Sequence, residues 1–111
     1  MQKKSFSEPD ETKTPPKTKL EIINLDGKTL VKNIFEPGWK WSADIKPSAG
    51  TDSCQVHHLI YAISGNLEVA MDNGVGLKIA PGEVADIPTG HDAWVVGDEP
   101  FVGIDIGAAF S

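Results

Sequence analysis

The sequence predicts an all-β domain, a sandwich or barrel of about nine short strands. Turn signals recur along it: Asp26-Gly27, Pro37-Gly38, Ser64-Gly65, Asp72-Asn73-Gly74, Pro81-Gly82, Pro88-Thr89-Gly90 and Gly97-Asp98-Glu99-Pro100. The runs between them alternate in polarity or are apolar and β-branched. No window of eleven or more residues free of Gly and Pro repeats apolar side chains at i, i+3, i+4 and i+7, so no helix is expected.

Residues 1–18 are rich in Lys, Ser, Thr, Pro and acids, and Phe6 is their only large apolar side chain after Met1. They are expected to be a flexible tail, or an arm that packs Phe6 on the body or on a second subunit. Residues 19–111 then form the single domain. Leu20–Asn24 and Thr29–Phe35 are the first strands, joined at the hairpin dipeptide Asp26-Gly27. Trp39-Lys40-Trp41 alternates, which predicts a third strand with both indoles on one face. Pro47–Gly50 reads as a loop.

The stretch from Asp52 to Ile63 reads as the central strand. Cys54, Val56, His58, Ile60 and Ala62 share one face, and His57, Leu59, Tyr61 and Ile63 the other. Asn66–Met71, Val75–Ala80, Val84–Ile87, Asp92–Val96 and Phe101–Ile106 complete the strands, and Gly107–Ser111 is expected to be peripheral.

The formal net charge is −6, and all ten basic residues are Lys. An acidic body without guanidinium groups is a poor match for phosphate backbones or an anionic membrane, so neither nucleic acid nor membrane is an expected partner. Cys54 is the only cysteine, which rules out an internal disulfide. The first residues contain no apolar signal core, and no run reaches transmembrane length. A reducing, cytoplasmic location is the expectation. Phosphate-binding Gly-rich loops, Gly-x-Ser-x-Gly elbows and Cys-x-x-Cys pairs are absent from the sequence.

Two segments resemble the motifs of the cupin superfamily. Gly82, five residues, then Pro88-Thr89-Gly90 matches the scaffold of the second cupin motif, and Tyr61-Ala62-Ile63-Ser64-Gly65 is similar to the end of the first. The resemblance covers about residues 20–106 and is greatest to small single-domain cupins of unassigned activity. It implies a jelly-roll-like, double-stranded β-helix barrel that commonly pairs into a homodimer. Counting back from Gly65 puts His58 at the family's Glu position, and Cys54 and Asp52 at its two His positions. In the second motif Ala93 takes the His position and Gly97 the Asn position, while His91 lies one strand period before Ala93. The inherited ligand set is then Asp52, Cys54 and His58 with His91. A thiolate and two imidazoles suit Zn, Fe, Ni or Cu better than Mg or Ca.

Each of these residues has a plainer reading. A single Cys on a strand is often a small buried hydrophobe, and a single His often a satisfied core residue. His57 is expected on the outer face with Tyr61. Asp86 and Asp92 are candidates for proton transfer that no spacing singles out. Trp39, Trp41 and Trp94 either fill the barrel or line a pocket for a small organic ligand. The functional expectation is a module that binds a metal, a small ligand or both, in a sensing or binding role. The alternatives are a metal-dependent oxygenase, isomerase or lyase on a small metabolite, and a metal-free structural or interaction module.

Overall fold

Alternation and turn chemistry build two antiparallel sheets. The computed structural model describes residues 1–106; the terminal residues expected to be peripheral, 107–111, lie outside the described residues. The strands are β1 (Glu11–Lys13), β2 (Thr18–Leu25), β3 (Lys28–Phe35), β4 (His58–Ser64), β5 (Asn66–Met71), β6 (Gly76–Ile79), β7 (Val84–Ile87), β8 (His91–Val96) and β9 (Phe101–Asp105). Two single helical turns, α1 (Trp41–Asp44) and α2 (Lys46–Ala49), lie between β3 and β4. One sheet runs β1-β2-β3-β9-β4-β7 and the other β6-β5-β8.

The β2–β3 hairpin forms as its dipeptide predicts. Asp26 and Gly27 have φ of 45° and 77°, the paired positive angles of a tight hairpin turn, and Leu25 pairs with Lys28. At the β4–β5 corner Gly65 has φ of 76°, and a Cβ there would lie 2.2 Å from the carbonyl oxygen of Pro100. Only glycine allows the corner to close against that backbone.

Strand parity sorts the side chains of β4. Ile60 and Ala62 face the core, while Tyr61 and Ile63 are 48% and 47% exposed on the outside. Phe101, Ala85 and Ile87 join them from the large sheet, and Leu67, Val69, Ile79, Ala93 and Val95 from the small one. Trp39, Trp41 and Cys54 belong to the same buried cluster. Burying each of the Val, Leu, Ile and Phe side chains among them stabilises the fold by about 1.5–3 kcal/mol.

Four segments differ from the sequence expectation. Trp39–Trp41 is not a strand: Lys40 makes a single bridge to Trp94, and the chain then turns into α1. Asp44 accepts the Lys40 N–H at 2.9 Å and Asp92 the Ser42 N–H at 3.0 Å, which holds the turn. Both indoles still reach the core, delivered by a turn. The expected loop Pro47–Gly50 is mostly α2, which starts with a proline in its first turn and stops at left-handed Gly50. Residues 52–57 form no strand; Cys54 alone bridges to His91, and the ladder begins at His58. Within the expected tail, Glu11–Lys13 pairs with Leu20–Ile22 as β1, and Asp10 accepts the Asn24 N–H at 2.8 Å. The exposed edge of β2 offers backbone partners that composition does not reveal.

Candidate metal centre

Two backbone features bring three ligand side chains together. Just ahead of β4, the Cys54 N–H donates to the His91 carbonyl at 2.7 Å, and the Gly90 N–H donates to the Cys54 carbonyl at 2.7 Å. This bridge fixes Cys54 beside the start of β8. His58 opens β4, in register with Ile87 of β7, and its even-numbered parity points it inward with Ile60. Cys54 and His91 are buried, and His58 is partly buried.

Cys54 Sγ lies 3.6 Å from His58 Nε2. The ligand atoms of Cys54, His58 and His91 all lie within 4.8 Å of one another. The imidazoles meet edge to face, with centroids 5.2 Å apart. Each ring has its other nitrogen engaged. His91 Nδ1 donates to the Pro88 carbonyl at 2.7 Å, and His58 Nδ1 is hydrogen-bonded to Asp105 Oδ2. A carbonyl only accepts, so the His91 proton sits on Nδ1 and leaves Nε2 with its lone pair. A carboxylate or carbonyl behind an imidazole is the arrangement that orients histidine metal ligands.

Electrostatics prepares the same atoms. Burial alone pushes the Cys54 thiol up, but its contacts with the two imidazoles, the His58 hydrogen bond foremost, outweigh it and bring its pKa down to about 6. Burial likewise pushes His58 down, and the Asp105 hydrogen bond, helped by Cys54, overrides it and raises the pKa to about 9. Without metal the pair is a thiolate against an imidazolium at neutral pH.

The donor set fits a transition metal. One thiolate and two imidazole nitrogens are soft to borderline ligands suited to Zn, Fe, Ni or Cu, and three protein ligands leave a coordination position open. Beside the centre is a cavity of about 240 Å³, whose lining includes Cys54, His58, His91, Trp39 and Trp41.

The structure does not bring every predicted site residue here. Asp52 is fully exposed and 3.9 Å from Lys46 Nζ, outside the cluster. The segment before Cys54 is not an extended strand, so counting in twos from Cys54 to Asp52 fails. Trp94 does not line the cavity; it sits on the other face of β8, with Lys40 Nζ 5.3 Å from its ring centre. His57 lies on the exposed side, as expected, bonded to Asp86. Asp92 caps backbone N–H groups of Ser42 and Ala93.

Asp105 was missed by sequence reasoning. It is 4% exposed and supports His58 from β9. In the sequence it alternates with Val102, Ile104 and Ile106 and was not singled out among the candidate residues. The available signal was its shared parity with Phe101 and Gly103 on a strand next to β4.

No family model and no curated protein matches the chain. Solved structures do. A protein of unknown function from Rhizobium leguminosarum bv. viciae superposes with a TM-score of 0.68 at 18% identity, over 95% of this chain and 93% of that one. Ectoine synthase from P. lautus gives a TM-score of 0.68 at 15% identity, over 96% of this chain and 78% of the other. A cupin-like protein from Thermotoga maritima gives 0.59 at 17% identity, over 84% and 69%. The fold is an all-β barrel of the cupin type, as the sequence resemblance implied. Among the described residues no helix is long and apolar enough to cross a membrane.

Proposed function

We propose that this barrel binds one divalent transition metal through Cys54, His58 and His91 and holds a small organic ligand in the adjoining cavity. The observation that supports it most is the convergence of three ligand atoms within 4.8 Å while both Nδ1 atoms are occupied from behind. A bound metal would supply Lewis acidity and a fixed point for the ligand. Binding or sensing is favoured over catalysis. Among the described residues lining the cavity none is Asp, Glu or Lys, and Asp105 is engaged by His58, so no general base stands apart from the ligands.

The test is metal content of untagged protein, wild type against Cys54→Ala, His58→Ala and His91→Ala. Stoichiometric metal in the wild type, lost in each variant, is the expected result. A sulfur-to-cobalt charge-transfer band on Co²⁺ loading, absent in Cys54→Ala, identifies the thiolate. A wild type that takes up no Zn, Fe, Ni or Cu on reconstitution overturns the reading and leaves a metal-free structural or interaction module.

The second reading is a metal-dependent oxygenase, isomerase or lyase on a small metabolite. The open coordination position beside the cavity supports it. Turnover of a metabolite by loaded protein, lost with the metal, would establish it over the binding reading.

Two further parts of the proposal concern setting. A thiol that ligates metal must stay reduced, which suits a cytoplasmic location. Tyr61 and Val84 stand opposite each other on the outer face of β4 and β7, 48% and 63% exposed, with Ile63 at 47% beside them. This apolar face suits a homodimer. Light scattering tests it: Tyr61→Lys should yield monomer, and a monomeric wild type would sink it.

A further inference from the structure

The cavity has walls selective enough to define what it takes. Phe35 and Trp39 are stacked with ring centroids 3.8 Å apart and planes 2° from parallel, and both line it with Trp41. The remaining apolar lining includes Ile45 and Leu67. The lining among the described residues has no Lys, and the chain has no Arg. A ligand with two or more anionic groups would leave at least one facing hydrocarbon without a counter-ion, which is strongly unfavourable. Phosphates and dicarboxylates are thereby disfavoured.

Two polar side chains of the lining apart from the centre are short of partners: Trp39, whose enclosed indole Nε1 has none among the described residues, and Asn33. Asn33 lines the cavity at 9% exposure. Its amide nitrogen makes one long bond, 3.4 Å to the Val31 carbonyl, and among the described residues Oδ1 has no hydrogen-bond partner. Thr18, the other hydroxyl or amide in the lining, already donates to the Pro16 carbonyl at 2.8 Å. Asn33 Oδ1 is therefore an acceptor in a cavity-lining residue that remains open to a donor. Its place relative to the metal centre follows from the sheet. Asn33 pairs with Gly103 of β9, and Asp105, which holds His58, lies two residues further along that strand. Such a diagonal sets the two backbones roughly 7–8 Å apart.

We propose that the cavity selects a small, flat, largely aromatic molecule with a single acid group at the metal and a hydroxyl or amino group donating to Asn33 Oδ1. The acid end rests on the metal reading above; the Asn33 end does not. The specificity is then shared: the apolar walls reject a second charge, and Asn33 prefers a ligand that carries a donor.

Calorimetric titration of zinc-loaded protein tests this with benzoate, 3-hydroxybenzoate, 4-hydroxybenzoate, succinate and inorganic phosphate. At least one hydroxybenzoate should bind about tenfold more tightly than benzoate, with succinate and phosphate weakest. Asn33→Leu, close in volume, should erase the hydroxyl advantage, bringing the ratio of hydroxybenzoate to benzoate affinity to about one. A merely structural role for Asn33 would weaken all three aromatic acids alike. The inference is overturned if succinate or phosphate binds most tightly, if neither hydroxybenzoate beats benzoate, or if the advantage survives Asn33→Leu. Should that variant not fold, the wild-type ranking decides alone. Repeating the series on metal-free protein separates the two readings. The same ranking and Asn33 dependence without metal would sink metal-anchored binding and keep the cavity inference. Loss of all binding without metal supports both.

Discussion

His57 and His58 are neighbours, and each is hydrogen-bonded to an aspartate, yet the two pairs have little else in common. His57 with Asp86 lies outside the barrel, the side chains 49% and 67% exposed. His58 with Asp105 lies inside, at 25% and 5%. The two histidines are adjacent in the chain, but His57 lies in the irregular segment just ahead of β4, and His58 opens the strand facing inward. Outside, water screens the pair and offers both partners equivalent hydrogen bonds, so little is gained. Inside, screening is weak, and the aspartate holds one imidazole nitrogen while the other is aimed at Cys54 Sγ and the cavity. The same two functional groups are a surface contact in one place and a positioned imidazole in the other. Burial, not residue type, makes the difference.

Removing the imidazoles gives the largest expected contrast. His58→Ala deletes one of the three proposed ligands and should weaken metal affinity at least on the order of a thousandfold, whereas His57→Ala should leave it within about twofold. Competition against a chelator of known affinity measures both. Comparable losses in the two variants would place the centre on the wrong side of the strand.

Protons should compete with the metal on the inner side only. The metal-free centre holds the Cys54 thiol at a pKa of about 6 and His58 at about 9. Binding needs a thiolate and a neutral imidazole. Between those values the thiol is already ionised and one proton must leave His58, so affinity should rise about tenfold per pH unit. Above the His58 pKa no proton is released and the curve flattens. Below that of Cys54 two protons must leave, and the fall steepens to about a hundredfold per unit. His57→Ala should not alter the profile. A flat response across this window would contradict the ionised thiol–imidazole pair.

The two aspartates sharpen the comparison further. Asp105→Asn keeps the shape but removes the charge behind His58. It should cost about 10–100-fold in metal affinity, measured above the wild-type His58 pKa where proton competition has vanished. Near neutral pH the loss should shrink, because without Asp105 the imidazole also binds its proton less tightly. Asp86→Asn should do neither. An Asp105→Asn protein with unchanged affinity and profile would reduce that residue to core filling.

The contrast between the two histidines was legible in the sequence, since strand parity from His58 onward holds through β4. So was the fold, because the turns at Asp26-Gly27 and Ser64-Gly65 and the Pro88-Thr89-Gly90 scaffold are local chemistry. Cys54 lies beside His58 and His91, but not by the strand alternation that the sequence suggested. Residues 54–58 do not run as a strand, and a backbone bridge to His91 carries the thiol to the centre instead. The same false periodicity put Asp52 in the set. Trp39 and Trp41 reach the cavity from a turn and from the start of α1, while Trp94, on a true strand, obeys alternation and does not line it. Asp105 was hidden because β9 carries apolar residues on its outer face. Val102 and Ile104 are only half-buried, and the buried parity is Phe101, Gly103 and Asp105. Periodicity alone assigns the apolar set inward, which fails when the outer face is also apolar.

The smallest expected effect probes what covers that outer face. A double-mutant cycle on His57→Ala and Asp86→Asn should give a coupling to folding stability below about 1 kcal/mol, falling as salt is added. That outcome belongs to a pair in contact with water. The Tyr61–Val84 row lies one residue pair from it on the same strands, since Leu59 pairs with Asp86 and Tyr61 with Val84. If two copies meet over that row, the His57–Asp86 pair lies at the rim of the interface and loses part of its water. Desolvated charge pairs, once broken, cost about 3–5 kcal/mol. The cycle should therefore be run at concentrations on both sides of any monomer–dimer transition. Weak coupling at both leaves the pair outside any interface. Weak coupling when dilute and strong coupling when concentrated would mean that assembly gives the outer histidine the environment that folding gives the inner one.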